Sequence, residues 1–438
     1  MLRLRRNPNR KKMKRILTSL FLIALAFSAS AQIRGYNIVV SVTPDHQDWN
    51  YRTGEKARFV VNVRKSGTLL PNTTVDFEAG PVMYPDTQRK GVTLKDGTME
   101  WTGTMSQPGF YRLKVTAHVD GKDYVGLCTA AFSPEKLQPA TKCPADFDAF
   151  WQRALDEARQ NALDPHLTLL PERCTEKVNV YEVSFVNNRP RSLIYGILCV
   201  PVAEGKYPAL LRVPGAGVRP YSGDVYTASQ GAITLEIGIH GIPVTMPLSV
   251  YENIRESSLD GYWESNLDLP EKNFYRRVVQ GAVRAVDYIA SLPQWNGRDL
   301  GVTGASQGGF LSLAVAALDK RVTFLAPVHD AMCDYEMALQ KKACGWPHYF
   351  YNVQNPDPKK VEGARYYDGI NFARRITCPG WYSFGYNDEV VPPSSAYSVY
   401  NVVQAPKTLS VYQMTGHYWY QEQWDEWENW LLQQMHLR

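Results

Sequence analysis

The hydrophobic rhythm of this chain changes at Pro134, and the two rhythms demand different architectures. Before it, apolar and polar side chains alternate in short runs at 36–43, 57–64, 73–79, 98–103, 109–118 and 123–132, with turn residues such as Lys95-Asp96-Gly97 and Asp120-Gly121 between them. A period of two over so few residues puts one face of each run in a core and the other in water. Six or seven such strands in about 100 residues predict an immunoglobulin-like β-sandwich. No Cys…Trp…Cys pattern accompanies them, so the prediction concerns architecture alone.

Beyond Pro134, strand-length apolar runs alternate with helical spacing. Residues 145–161 carry Phe147, Phe150, Trp151, Leu155 and Ala158 along one helical face, and further helices are expected at 274–291, 307–318, 394–403 and 421–434. Strands are expected at 178–186, 193–201, 209–213, 232–237, 300–303, 324–328, 380–384 and 408–413. Strands separated by helices of this length predict a mostly parallel α/β sheet covered on both faces. At ~150 residues per domain, a chain of 438 residues divides into more than one core. The expected division is 1–31, 32–133 and 134–438.

The first of these is read as a secretory signal peptide. Residues 3–15 hold eight basic and no acidic side chains, an apolar run follows at 16–27, and Ala29-Ser30-Ala31 supplies small residues for cleavage before Gln32. That pattern is a signal peptide's, and the run falls short of the roughly 20 residues a membrane span needs. Met13 offers a second start. Without the leader, 40 basic face 43 acidic side chains, a net charge near −3. Neither a basic domain nor a polybasic run remains, which argues against nucleic-acid or membrane-surface binding. The expected location is secreted or periplasmic. The seven cysteines are scattered without C-x-x-C spacing, so neither a disulfide framework nor a zinc knuckle is implied, although a Cys333–Cys344 bridge is open in an oxidising compartment.

Gly304-Ala305-Ser306-Gln307-Gly308 matches G-x-S-x-G. Chance alone gives such a match in a chain this long with a probability of roughly 0.1 to 0.2, so context decides. Residues 299–303 read as a short buried strand and 310–318 as an apolar helix, and a strand-to-helix turn is where the motif has mechanical meaning. There the serine hydroxyl is pushed out over the sheet's end, and the amide of Gln307 can donate to an oxyanion. The fold expected from this context is the α/β-hydrolase fold.

A serine hydroxyl is a poor nucleophile until a base takes its proton, and in this fold an acid and then a histidine follow the serine. Asp388 lies just past the strand at 380–384, with Glu389 its neighbouring rival, and His417 just past the strand at 408–413. Of the eight histidines, only His417 follows both acids and precedes a terminal helix. His329 also follows a strand but precedes Asp388. The second oxyanion donor is expected in the loop after 209–213, which reads Pro214-Gly215-Ala216-Gly217, with Ala216 N–H the candidate.

Taken together with Pro144-Ala145-Asp146-Phe147-Asp148-Ala149-Phe150-Trp151, Asn273-Phe274-Tyr275-Arg276-Arg277-Val278, the elbow through Gly309, and Asn387-Asp388-Glu389-Val390-Val391-Pro392-Pro393-Ser394, these motifs resemble the acetyl xylan esterase and cephalosporin C deacetylase family, carbohydrate esterase family 7. The resemblance spans residues 140–435. It implies Ser306 as nucleophile, Asp388 as acid and His417 as base, with acetylated carbohydrate or another small acetyl ester as substrate and neither metal nor organic cofactor. It also opens a homo-oligomer, since many members are hexamers. Two segments depart from the family pattern: its His-Gly-Tyr oxyanion loop reads Pro214-Gly215-Ala216, and its Asp-x-Arg-Gly-x-Gly segment reads Gly238-Ile239-His240-Gly241-Ile242-Pro243. Tyr262, Trp263, Trp346 and Tyr349 are the aromatic residues expected near the sheet edge, where they could stack on sugar. Two alternatives stay open: a prolyl oligopeptidase-like peptidase, and a carbohydrate-binding protein with a dead hydrolase fold.

Overall fold

The protein is described by a computed structural model covering residues 37–438; the leader expected at 1–31 lies outside the described residues. The alternating runs of the N-terminal part form two sheets. One joins Ile38–Pro44, Ala57–Lys65, Thr68–Leu69 and Thr98–Gly103; the other runs in the order Asn50–Tyr51, Lys122–Phe132, Gly109–Val119, Thr73–Pro81, Thr87–Leu94. Their inward side chains make one core, with Phe59, Val61 and Val63 from the first sheet against Val75, Leu113, Val115 and Ala117 from the second. Val39 stays 45% exposed between buried Ile38 and Val40, as a half-buried strand requires.

The second part is a nine-stranded sheet in the spatial order His166–Leu169, Val178–Val186, Leu193–Pro201, Ile233–Gly238, Tyr207–Arg212, Trp295–Ala305, Phe324–Val328, Gly380–Phe384, Lys407–Val411. The first three strands pair antiparallel and the remaining six run parallel, so the mostly parallel expectation holds with an antiparallel edge. Alternation along each strand splits the core between the two faces. Ala209 and Leu211 join the cluster under helices Phe147–Arg159, Phe274–Ser291 and Gln307–Leu318, while Leu210 joins the one under Gln421–Gln434. In such sheets ligands bind outside the carboxyl ends of the parallel strands. All seven cysteines are free, so the open Cys333–Cys344 bridge is not formed. Among the described residues no helix is long and apolar enough to cross a membrane.

Candidate active site

Strand Trp295–Ala305 ends directly at Ser306, and helix Gln307–Leu318 begins at the next residue. A turn this abrupt forces Ser306 to φ 61° and ψ −123°, a sparsely populated conformation that costs on the order of 1–3 kcal/mol. The surroundings hold it there: Ser306 N–H donates to Val328 O at 2.9 Å, and its carbonyl accepts from Gly309 N–H at 2.8 Å and Ala331 N–H at 3.1 Å. The flanking glycines are sterically required. A Cβ on Gly304 would stand 2.4 Å from Val213 O, and one on Gly308 2.5 Å from the same oxygen.

Two neighbouring strands deliver the other residues to the same edge. Asp388 follows Gly380–Phe384 and His417 follows Lys407–Val411, and their loops are tied by Tyr412 N–H to Phe384 O at 3.1 Å and Asn387 N–H to Thr415 O at 3.2 Å. The fully buried Asp388 carboxylate accepts from Val390 N–H and Val391 N–H, each at 2.8 Å, on Oδ1, and lies 2.8 Å from His417 Nδ1 on Oδ2. With Nδ1 so engaged, Nε2 is the nitrogen His417 has left for the cleft that it lines together with Ser306. The rival acid Glu389 is exposed and pairs instead with Lys114 at 2.8 Å.

His329 stands behind this pair. Its Nδ1 is 3.4 Å from Asp388 Oδ2, neither ring nitrogen has an aligned hydrogen-bond partner, and burial pushes it down to about 4. It is a neutral neighbour of the acid at ordinary pH and does not line the cleft. His329, Asp388 and His417 offer ligand atoms within 4.8 Å of one another. An ion there would have to displace the His417–Asp388 contact.

The cleft, of about 570 Å³, also contains Pro214, Gly215 and Ala216. Gln307 connects this loop to the serine turn through its own side chain, fully buried. Nε2 donates to Pro214 O at 3.2 Å, and Oε1 accepts from Tyr262 and Tyr275 hydroxyls at 2.9 and 2.8 Å. The Tyr262 hydroxyl accepts in turn from Gly217 N–H at 3.2 Å. His240, in the second departing segment, supports the same loop, its Nε2 lying 3.1 Å from Gly217 O, and desolvation pushes it down to about 4.

Of the four aromatic residues expected to face sugar, only Trp346 lines the cleft. Tyr262 is buried and serves the loop, while the Tyr349 hydroxyl donates to Trp263 O and Trp263 packs against Trp346. The cleft's aromatic wall is Trp419, Trp424 and Trp427, which the sequence reading does not single out. Trp419 and Trp424 stack at 4.2 Å, and Trp424 is 38% exposed. Their signal was present as Tyr418-Trp419-Tyr420 behind the histidine and as Trp424, Trp427 and Trp430 at three-residue spacing. Arg212, whose guanidinium lies over the Trp427 ring at 5.5 Å, Arg219 and Glu236 add charge to the cleft.

This sheet, with its strained serine between strand and helix and its carboxylate-held imidazole at the same edge, defines an α/β-hydrolase. A family model for acetyl xylan esterase (AXE1) matches residues 134–434. The chain belongs to the acetyl xylan esterase family and is a carboxylic ester hydrolase, so the peptidase and non-catalytic alternatives fall away. It is 38% identical over 417 residues to acetyl esterase Axe7A of Xylanibacter ruminicola, covering 93% of this chain and 94% of that one. A match of that length extends into the N-terminal sheets. Acetyl xylan esterase 1 from Thermoanaerobacterium sp. JW/SL YS485 superposes with a TM-score of 0.59 at 25% identity, over 69% of this chain and 97% of that one. The acetyl xylan esterase from Paenibacillus sp. R4 gives 0.58 at 22% identity, over 68% and 97%.

Proposed function

We propose that this chain is an exported serine esterase that removes acetyl groups from acetylated oligosaccharides through an acyl-enzyme on Ser306. The observation that carries the reading is the Asp388–His417 contact at 2.8 Å beside a serine held at φ 61°, with serine and imidazole on one cleft. Ser306 Oγ attacks the acetyl carbonyl while His417 Nε2 takes its proton, and Asp388 orients the ring. His417 then returns the proton to the departing sugar oxygen, and water, activated by the same nitrogen, releases acetate.

The negative charge that forms on the carbonyl oxygen is held by the amides of Gln307 and Ala216. Gln307 N–H begins a twelve-residue helix, where unpaired amides favour an anion. For Ala216, the support is the orientation of its peptide. Arg219 draws the Gly215 carbonyl toward itself at 3.1 Å, and in a trans peptide the following N–H points the other way.

Carbohydrate as substrate is supported by family membership and by the Trp419–Trp424 stack. The basic and then apolar leader pattern supports export, and residues 32–133 and 134–438 are read as its two domains. The test is acetate release from acetylated xylo-oligosaccharides, alongside hydrolysis of p-nitrophenyl acetate, butyrate and octanoate. Acetate release with a steep fall in rate along the ester series is expected. Preference for octanoate, or inert acetylated oligosaccharides, would contradict the substrate assignment.

A further inference from the structure

The N-terminal sandwich reaches the acid loop at four consecutive residues. Tyr386 packs on Phe110 with ring centroids 5.2 Å apart, and its hydroxyl donates to Asn50 Oδ1 at 2.9 Å. Asn387 Nδ2 donates to Leu127 O at 3.4 Å, and Glu389 pairs with Lys114 at 2.8 Å. Between them, Arg112 Nη2 donates to the carbonyl oxygens of Tyr386 at 3.1 Å and Asp388 at 2.9 Å. The guanidinium is itself fixed by Nε donating to Thr129 Oγ1 at 2.8 Å, and its side chain is only 11% exposed.

We propose that Arg112 is a positioning residue for the acid, so that the sandwich supplies part of the esterase site. This rests on Asp388 serving as the acid of that site. The two carbonyls that Arg112 Nη2 holds flank Asn387 and Asp388, so one fixed amino group limits the backbone torsions that set where the Asp388 side chain points. Oδ1 then meets the amides of Val390 and Val391, and Oδ2 meets His417. A tether between domains needs no buried cation, and withdrawing a guanidinium from water is costly unless its donors are used. Here Nη2 is spent on the main chain of the acid loop, while Nε holds Thr129 and Nη1 lies 3.9 Å from Glu389 Oε1.

The test uses the full-length chain with active sites titrated by a fluorophosphonate, and reads kcat and KM for p-nitrophenyl acetate together with Tm. Arg112→Met should lower kcat per titrated site roughly 10- to 100-fold with KM little changed, and Arg112→Lys, which restores one donor nitrogen and the charge, should recover part of the loss. Tyr351→Phe removes a contact between the same two parts away from the acid loop, the hydroxyl's bond to Met83 O at 3.0 Å, and should leave kcat unchanged. If Arg112→Met fails to fold, Arg112→Gln, too short to reach both carbonyls, carries the same test. A variant whose Tm falls while kcat per titrated site stays within about twofold of wild type would overturn the proposal and leave Arg112 a tether. Turnover surviving in Ser306→Ala would instead sink the serine esterase reading, and this proposal with it.

Discussion

Arg219 Nη2 donates to the carbonyl oxygen of Gly215 at 3.1 Å, while Nη1 of the same side chain donates to Ala216 O at 2.8 Å. Two successive carbonyls of the loop beside Ser306 are thereby turned toward one guanidinium, and in the trans peptide between Gly215 and Ala216 the Ala216 N–H points the opposite way. Arg219→Met should free that peptide to rotate. Complete loss of an oxyanion donor typically costs ~10² to 10³ in kcat; an exposed support should cost less, roughly tenfold, with KM for p-nitrophenyl acetate little changed. Steady-state kinetics would show this, and an unaltered kcat would remove Arg219 from the account.

Gln307→Leu should be costly in stability. It strips the acceptor from two tyrosine hydroxyls, Tyr262 and Tyr275, and the donor from Pro214 O. Each buried polar group left unsatisfied costs about 1–3 kcal/mol, so urea denaturation should show a loss of ~2–5 kcal/mol with kcat reduced. A loss under about 0.5 kcal/mol, the range of ordinary surface changes, would mean that the hydroxyls find other partners.

Trp424→Ala separates the sugar from the acetyl group. Trp424 stacks on Trp419 at the cleft, so its loss should raise KM for acetylated xylo-oligosaccharides about tenfold, an energy of ~1.4 kcal/mol. KM for p-nitrophenyl acetate, which carries no sugar, should change little. Equal effects on both substrates would argue that the stack is packing only.

Stability should fall as pH drops from 6.5 toward 4. His240 and His329 are both pushed from 6.5 down to about 4 by desolvation. Between those values the unfolded chain binds the protons and the folded chain does not, so stability rises with pH across the window and is lost on acidification, by up to about 1.36 kcal/mol per pH unit for each group. His240→Gln keeps a donor near Gly217 O without the titration, and should flatten the dependence of Tm on pH. An unchanged slope would show that His240 titrates normally.

The legibility of the fold followed burial. The strands at 178–186, 193–201, 324–328 and 380–384 and the helices at 274–291, 307–318 and 421–434 lie where their hydrophobic periods put them. Strand His166–Leu169 is exposed at every position and Thr87–Leu94 at most, so neither carries a period to read. The antiparallel edge did leave a signal: the six residues between Val186 and Leu193 are too few for a parallel crossover. Ser306, Asp388 and His417 stood out because a motif, a strand end and a chain order coincide at them. Arg112 did not, because no local pattern ties a strand residue in the N-terminal sheets to a loop 274 positions further on. Nor did the support from Gln307, Tyr262 and His240, which requires the side chains to be seen converging.

The most direct test of the central claim is intact-mass analysis after exposure to a fluorophosphonate, paired with p-nitrophenyl acetate turnover, for wild type and Ser306→Ala. A single adduct mapping to Ser306 and complete loss of turnover in wild type once labelled are expected, with neither adduct nor turnover in the folded variant. An adduct on another residue, or acetate hydrolysis that survives the substitution, would contradict it.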